Sequence, residues 1–195
     1  MQASSTIKVA IFASGSGTNA QRIFDYFKGK ENIEIALLLS NNPDAYALTR
    51  AQNAQIPTRL FTKTEFKDSS IIVDELKAAG ISWVILAGFL WLVPKNLIQA
   101  FPATILNIHP ALLPDFGGKG MYGMHVHKAV IETGAKKTGI TIHKVNEEYD
   151  KGEVVFQASF DVLSEDTPES VAEKIHELEY KHFPLVIEEQ IIKSL

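Results

Sequence analysis

Apolar residues along this chain recur in two ways, as short unbroken runs and as stripes spaced three or four apart. Ile7 to Ala13 is a mostly apolar, β-favouring run; Gly15 and Gly17 follow, and Ile23, Phe24 and Phe27 then stand at helical spacing. The pattern predicts strand, glycine turn and helix. Ile33 to Leu39 repeats the strand signal, and "SNNPDA" comes next, with Asp44 placed to cap a second helix. Thr58 to Phe61 reads as a short strand, Glu65 to Ala79 as a helix ending near Gly80, and Trp83 to Ala87 as a strand buried on both faces. Pro94 opens a short helix, and Thr104 to Asn107 gives one more strand. Strands and helices in this alternation bury their apolar faces as a parallel sheet flanked by helices, so the first half is α/β.

The second half changes character. Gly139 to Val145 and Glu153 to Phe160 are β-rich and joined by "NEEYDKG", whose Gly152 suits a turn, which predicts an antiparallel pair. Thr167 and Pro168 form an N-cap and first-position pair, and Val171, Ile175 and Leu178 continue as one face of a long helix. Pro184 is expected to kink or restart it. No internal repeat or linker divides the chain, so residues 1–195 read as a single domain with halves of about 1–107 and 108–195.

Composition narrows the possibilities by exclusion. With a net charge of -4 there is no general attraction to nucleic acid or anionic lipid, so neither is an expected partner. The longest apolar stretch, Trp83 to Val93, falls short of the roughly 20 residues a bilayer requires. The first residues lack a basic segment of the kind that opens a secretory signal, which leaves the cytoplasm as the expected location. The absence of cysteine removes disulfides, thiolate metal sites and cysteine nucleophiles together.

Two motifs carry candidate chemistry. "SGSGTNA", Ser14 to Ala20, fits the loose dinucleotide pattern through Gly15, Gly17 and Ala20, and its backbone amides at a helix start favour an anion. A dinucleotide also wants an acid at the end of the second strand, and this strand ends in Ser40, Asn41 and Asn42, so a lone phosphate is the better fit. A tight turn with no ligand is the structural alternative. The other motif is "LNIHPALLP", Leu106 to Pro114. On an extended segment Asn107 and His109 face the same way, placing an oxyanion donor beside a titratable imidazole at a strand end. Asp150, in the "EEYDKG" turn, is the leading carboxylate to orient the ring and raise its pKa, with a solvated turn residue as the alternative. His125 and His127, two apart, invite a metal reading, but there is no H-E-x-x-H and no acid spaced as a third ligand, so no metal is predicted.

Taken together, "SGSGTN", "LAGFLWLV", "LNIHPALLP" and "VNEEYDKG" resemble the phosphoribosylglycinamide formyltransferase family, in order and over nearly the whole chain. The Asn-x-His segment and later aspartate are shared with methionyl-tRNA formyltransferase and formyltetrahydrofolate deformylase; the glycine motif is the more specific element. The resemblance implies an open, mostly parallel twisted sheet with helices on both faces, a Rossmann-like N-terminal half, an antiparallel strand pair and a long C-terminal helix. It implies formyl transfer from 10-formyltetrahydrofolate, as co-substrate, to the amine of glycinamide ribonucleotide in purine (IMP) biosynthesis, by a monomer or homodimer.

By the same resemblance Asn107, His109 and Asp150 are the catalytic trio; in the mechanism expected of them a protonated His109 assists the oxyanion and passes its proton to the departing folate nitrogen. Gly15, Ser16, Gly17, Thr18 and Asn19 hold the ribonucleotide phosphate, and Glu179 contacts the glycinamide amine. Leu90, Trp91, Leu92, Val93, Asn107, Glu147, Glu148 and Tyr149 flank the folate. The chain departs from the pattern at Trp91 and Leu92, where an arginine often follows "AGF", and at Asp115, where some members have a lysine; Lys63 is the remaining candidate for a folate-tail cation. A formyl-folate hydrolase, a non-catalytic nucleotide-binding module and a Rossmann oxidoreductase are the competing functions.

Overall fold

The computed structural model describes residues 6–195, so the reading of the extreme N-terminus as free of a secretory signal rests partly on residues outside it. The chain divides into two compact units, Met1–Ile105 and Leu106–Leu195.

The first unit contains β1 (Ile7–Phe12), α1 (Thr18–Phe27), β2 (Ile33–Ser40), α2 (Tyr46–Asn53), β3 (Thr58–Leu60), α3 (Lys63–Lys67), α4 (Ile71–Ala78), β4 (Ile81–Leu86) and α5 (Lys95–Ala100). Its strands lie parallel in the order β3-β2-β1-β4. Central β1 is covered on both faces and paired on both edges, which is why Val9 to Phe12 form a continuous apolar run with no exposure. The chain leaves β1 for β2 on one side and later returns to β4 on the other. The carboxyl end of β1 is therefore a switch point, the place where open α/β sheets carry ligands. α1 docks by Ala20, Ile23, Phe24 and Phe27, spaced as one helical face.

Two expectations in this unit need correction. The predicted helix from Glu65 to Ala79 is two helices: α3 is capped at Thr62 by a reciprocal bond with Glu65 and stops at Lys67, and Asp68 to Ser70 separate it from α4. Asp44 does not cap α2; its own amide donates to the Asn42 side chain, and Ala45 takes the cap position.

The second unit contains β5 (Ile105–His109) from its second residue onward, α6 (Met124–Glu132), β6 (Lys137–Lys144), β7 (Val154–Asp161) and α7 (Pro168–Lys193). β6 pairs antiparallel with both β5 and β7, so the expected pair is the outer part of a three-stranded ladder. Gly152 is obligatory in the β6–β7 turn, because a Cβ there would overlap the Lys144 carbonyl. α7 starts as expected from Thr167, whose side chain accepts from the Ser170 amide, and Pro168 fills its first turn. Pro184 does not restart it: the helix runs unbroken to Lys193. Val171, Ile175, Phe183 and Ile187 keep its inner face apolar through the proline. Among the described residues no helix is long and apolar enough to cross a membrane.

Candidate functional site

In the first unit the glycine turn is built from backbone. Gly17 is the N-cap of α1 at φ 69°, and it brings no side chain to cap the helix. A Cβ on Gly17 would lie 2.6 Å from the Cα and Cβ of Ala47, so two elements meet with only glycine between them. The Ala47 amide donates to the Gly15 carbonyl at 3.1 Å, and Arg50 Nε donates to the Ser16 carbonyl at 2.8 Å. α2 thus fixes the carbonyls of the turn from one side. Gly15 and Ser16 are exposed, Thr18 and Asn19 half-buried. The helix start presents its positive dipole end there.

The polar residues closing β2 serve this turn and have no acid among them. Ser14 Oγ donates to Asn41 Oδ1 at 2.7 Å, Asn42 Nδ2 donates to the Ser14 carbonyl at 3.1 Å, and Ser40 bonds to Asn42. Ser14 Oγ also accepts from the Leu90 amide at 3.1 Å, which ties the segment Leu90–Val93 to the turn. Leu90 is exposed, Trp91 and Leu92 half-buried and Val93 buried. Trp91 stands against Phe61, Phe66 and Phe89, in a cluster that also holds Phe12. Lys63 is exposed at the start of α3.

In the second unit the chemistry is carried by buried side chains. β5 stays extended through His109, so Asn107 and His109 share a face, as their spacing predicts. His109 is 3% exposed. Its Nε2–H donates to the Phe116 carbonyl at 2.8 Å, and its Nδ1 lies 3.6 Å from Asp150 Oδ2. Asp150 is not a solvated turn residue. Its Oδ2 accepts from the Gly118 amide at 2.9 Å, and its backbone is held at φ 54°, an uncommon conformation for a non-glycine residue.

The electrostatics correct one expectation. Burial pushes the pKa of His109 down, and this outweighs the opposing pull of Asp150 and the Phe116 carbonyl, so the ring is neutral near pH 7 rather than protonated. For Asp150, burial pushes the carboxyl up, but the opposing pull of its surroundings, where the Gly118 amide donates to Oδ2 at 2.9 Å, holds it below the ordinary range. A neutral imidazole facing an ionised carboxylate is a base with its counter-charge already in place.

Residues the sequence reading missed complete this cluster. His143, 2% exposed, stands directly across the ladder from Asn107, with Nε2 3.0 Å from Asn107 Nδ2 and 3.6 Å from Asp150 Oδ1. Buried Thr141 donates to the Ala111 carbonyl at 2.7 Å and accepts from the Leu113 amide at 2.9 Å, fixing the chain that leaves β5. Gln157 Nε2 reinforces it with bonds to Thr141 Oγ1 and the Leu113 carbonyl. The signal available in the sequence was alternation alone: Thr141 and His143 are polar residues at i and i+2, alternating with the apolar Ile140 and Ile142.

The remaining named residues are less tightly held. Glu147, Glu148 and Tyr149 are exposed, with Glu148 paired to Lys151, and Asp115 is exposed. Glu179 is 6% exposed on the inner face of α7. His125 and His127 both lie on α6, where a separation of two turns them to different faces. His127 is buried with no partner for Nδ1, and burial, with the His176 and His109 rings, lowers its pKa to about 4. Among the described residues no group of three or more His, Cys, Asp or Glu could hold a metal ion.

Residues 7–187 match the formyl transferase family. The phosphoribosylglycinamide formyltransferase of Haemophilus influenzae is 38% identical over 185 residues, covering 92% of this chain and 85% of that protein. The chloroplastic phosphoribosylglycinamide formyltransferase of Arabidopsis thaliana is 45% identical over 92% of the chain, which spans 64% of that longer protein. The crystal structure of phosphoribosylglycinamide formyltransferase from Bacillus halodurans superposes with a TM-score of 0.85 at 36% identity, covering 96% of this chain and 97% of that one.

Proposed function

The chain belongs to the formyl transferase family, and from that premise we propose that it moves a formyl group from 10-formyltetrahydrofolate to the primary amine of glycinamide ribonucleotide. The products are formylglycinamide ribonucleotide and tetrahydrofolate. The observation that carries the reading is the buried cluster of the second unit, where an amide donor, a neutral imidazole and an ionised carboxylate converge. Those three groups are what acyl transfer between nitrogens requires.

The acceptor amine attacks the formyl carbon, and the carbonyl oxygen becomes an oxyanion that Asn107 Nδ2 stabilises through its remaining hydrogen. The attacking nitrogen must lose a proton and the folate nitrogen must gain one before the carbon–nitrogen bond to folate breaks. His109 carries it: with Nε2–H engaged by Phe116, Nδ1 is the position that takes the proton and returns it. Asp150, 3.6 Å away, stabilises the imidazolium while it exists. The neutral resting state suits this role, because a ring already protonated could not accept from the amine.

In this reading Gly15, Ser16, Gly17, Thr18 and Asn19 receive the acceptor's phosphate, Glu179 its amine, and Leu90 to Val93 with Asn107 and Glu147 to Tyr149 the folate. No metal takes part. The enzyme works in the cytoplasm as a monomer or homodimer. Incubation with 10-formyltetrahydrofolate, with and without glycinamide ribonucleotide, tests the assignment. Folate release that depends on the acceptor, with a formylated ribonucleotide seen by mass, is expected. Equal release without acceptor would make the protein a hydrolase, and binding without release would make it a nucleotide-binding module.

A further inference from the structure

We infer that His143 is a positioning residue for Asn107, selecting which end of its amide faces the reacting formyl oxygen; the inference rests on the transfer reading above and names a part of that site. An asparagine at an oxyanion site has an inherent ambiguity. Its NH2 and carbonyl ends are nearly the same size, yet only the NH2 end stabilises negative charge, and a half-turn of the amide would repel it. Something must distinguish the two ends.

The hydrogen bonds around His143 do so. Its Nδ1 is 3.0 Å from the Lys144 carbonyl, which can only accept, so Nδ1 carries the ring proton. With the proton held at Nδ1, Nε2 presents its lone pair as an acceptor. It lies 3.0 Å from Asn107 Nδ2, which donates to it, while Asp150 Oδ1 at 3.6 Å stands outside hydrogen-bond distance. With its carbonyl turned toward Nε2, Asn107 would set two acceptors against each other in a buried place. The tautomer set at one end of the ring thereby fixes the amide at the other.

The backbone is shaped for this contact. Register pairs Asn107 with His143 across the β5–β6 ladder, and the β6–β7 register shifts between Ile142 and His143, an irregularity of the kind that re-aims a side chain beside a site. The Lys144 carbonyl that sets the tautomer is approached by Gly152, where any side chain would displace it.

The test is a double-mutant cycle with a rescue arm. His143→Leu removes the acceptor, His143→Gln keeps a carbonyl to receive Asn107, and each is made alone and with Asn107→Ala. His143→Leu should lower kcat about 10- to 100-fold with KM for both substrates little changed, as expected when one oxyanion donor is lost from its productive orientation. His143→Gln should recover most of that loss, and His143→Leu should cost nothing further once Asn107 is alanine. Independent losses in the double variant, an unchanged kcat in His143→Leu, or a Gln variant no better than Leu would overturn the inference. A measurement free of turnover stands beside these: nitrogen NMR of the wild-type imidazoles should show His143 protonated at Nδ1 and bare at Nε2, and the opposite tautomer would overturn it too. If the wild-type protein transferred no formyl group, the functional reading would fail alone, and the tautomer would still decide the role of His143.

Discussion

The glycine turn of the first unit and the strand-end cluster of the second hold polar groups by opposite means. From Ser14 to Ala20 there is no titratable side chain, and the geometry is set by backbone: a left-handed Gly17, carbonyls pinned by Ala47 and Arg50, and no space for a Cβ. In the cluster the backbone carries buried side chains whose protonation states depend on one another, His109 lowered by burial and Asp150 held ionised by its neighbours. The lesson is a division of labour. A site that grips a permanent charge does best with rigid amides and a helix dipole, whereas a site that moves a proton needs groups able to change charge.

The largest effect expected from this division is at Asn107. Asn107→Ala should reduce kcat by about 10²- to 10³-fold through the lost oxyanion donor. The fold should survive, since the change leaves only His143 Nε2 without its partner, a loss of about 1–3 kcal/mol. Steady-state kinetics with a thermal melt checks both halves; a KM effect without a kcat effect would break the comparison.

The acid sensitivity of the fold should lie in the second unit. His127 is neutral in the fold, with its pKa lowered from 6.5 to about 4, so the unfolded chain binds the proton first as pH falls. Stability is then full above pH 6.5 and is lost between there and about pH 4, by a limit on the order of 3 kcal/mol. His127→Leu should flatten that limb in denaturant titrations across the same pH window, while stability at neutral pH holds or rises, because an unpaired buried nitrogen is removed.

Changes in the turn should act on binding. Gly17→Ala combines a positive φ with contact against Ala47 and should cost roughly 1–3 kcal/mol in the turn's native geometry. That should appear as a raised KM for the phosphorylated acceptor, with KM for folate unchanged. Arg50→Ala should be milder, about 2- to 3-fold in the same KM, since the exposed-side bond to Ser16 and the stacking on Tyr46 support the turn from outside. A kcat effect as large as that of Asn107→Ala in either variant would contradict the division.

The sequence made the two regions unequally legible. A backbone site advertises itself locally: "SGSGTN" between an apolar run and a helical stripe is enough to expect the turn, and the missing acid after β2 was visible as Asn41 and Asn42. The cluster was only partly legible. Asn107 and His109 share a strand face by periodicity, but His143 becomes Asn107's neighbour through antiparallel register across 36 residues, which no local pattern contains. The charge of His109 was misread for a related reason, because the attraction of a carboxylate can be guessed from composition while the stronger effect of burial needs the packing. Likewise the break between α3 and α4 comes from the cap at Thr62 and the stop at Asp68 within an otherwise suitable apolar pattern.

The most direct test of the account compares two acceptors, glycinamide ribonucleotide and its phosphate-free riboside, with 10-formyltetrahydrofolate as donor and the formylated product followed by mass. The account predicts that both are formylated at similar kcat, with a much higher KM for the riboside, because the proposed function assigns phosphate to a turn that takes no part in the chemistry. Formyl release indifferent to either acceptor, or equal KM values for the two, would contradict it.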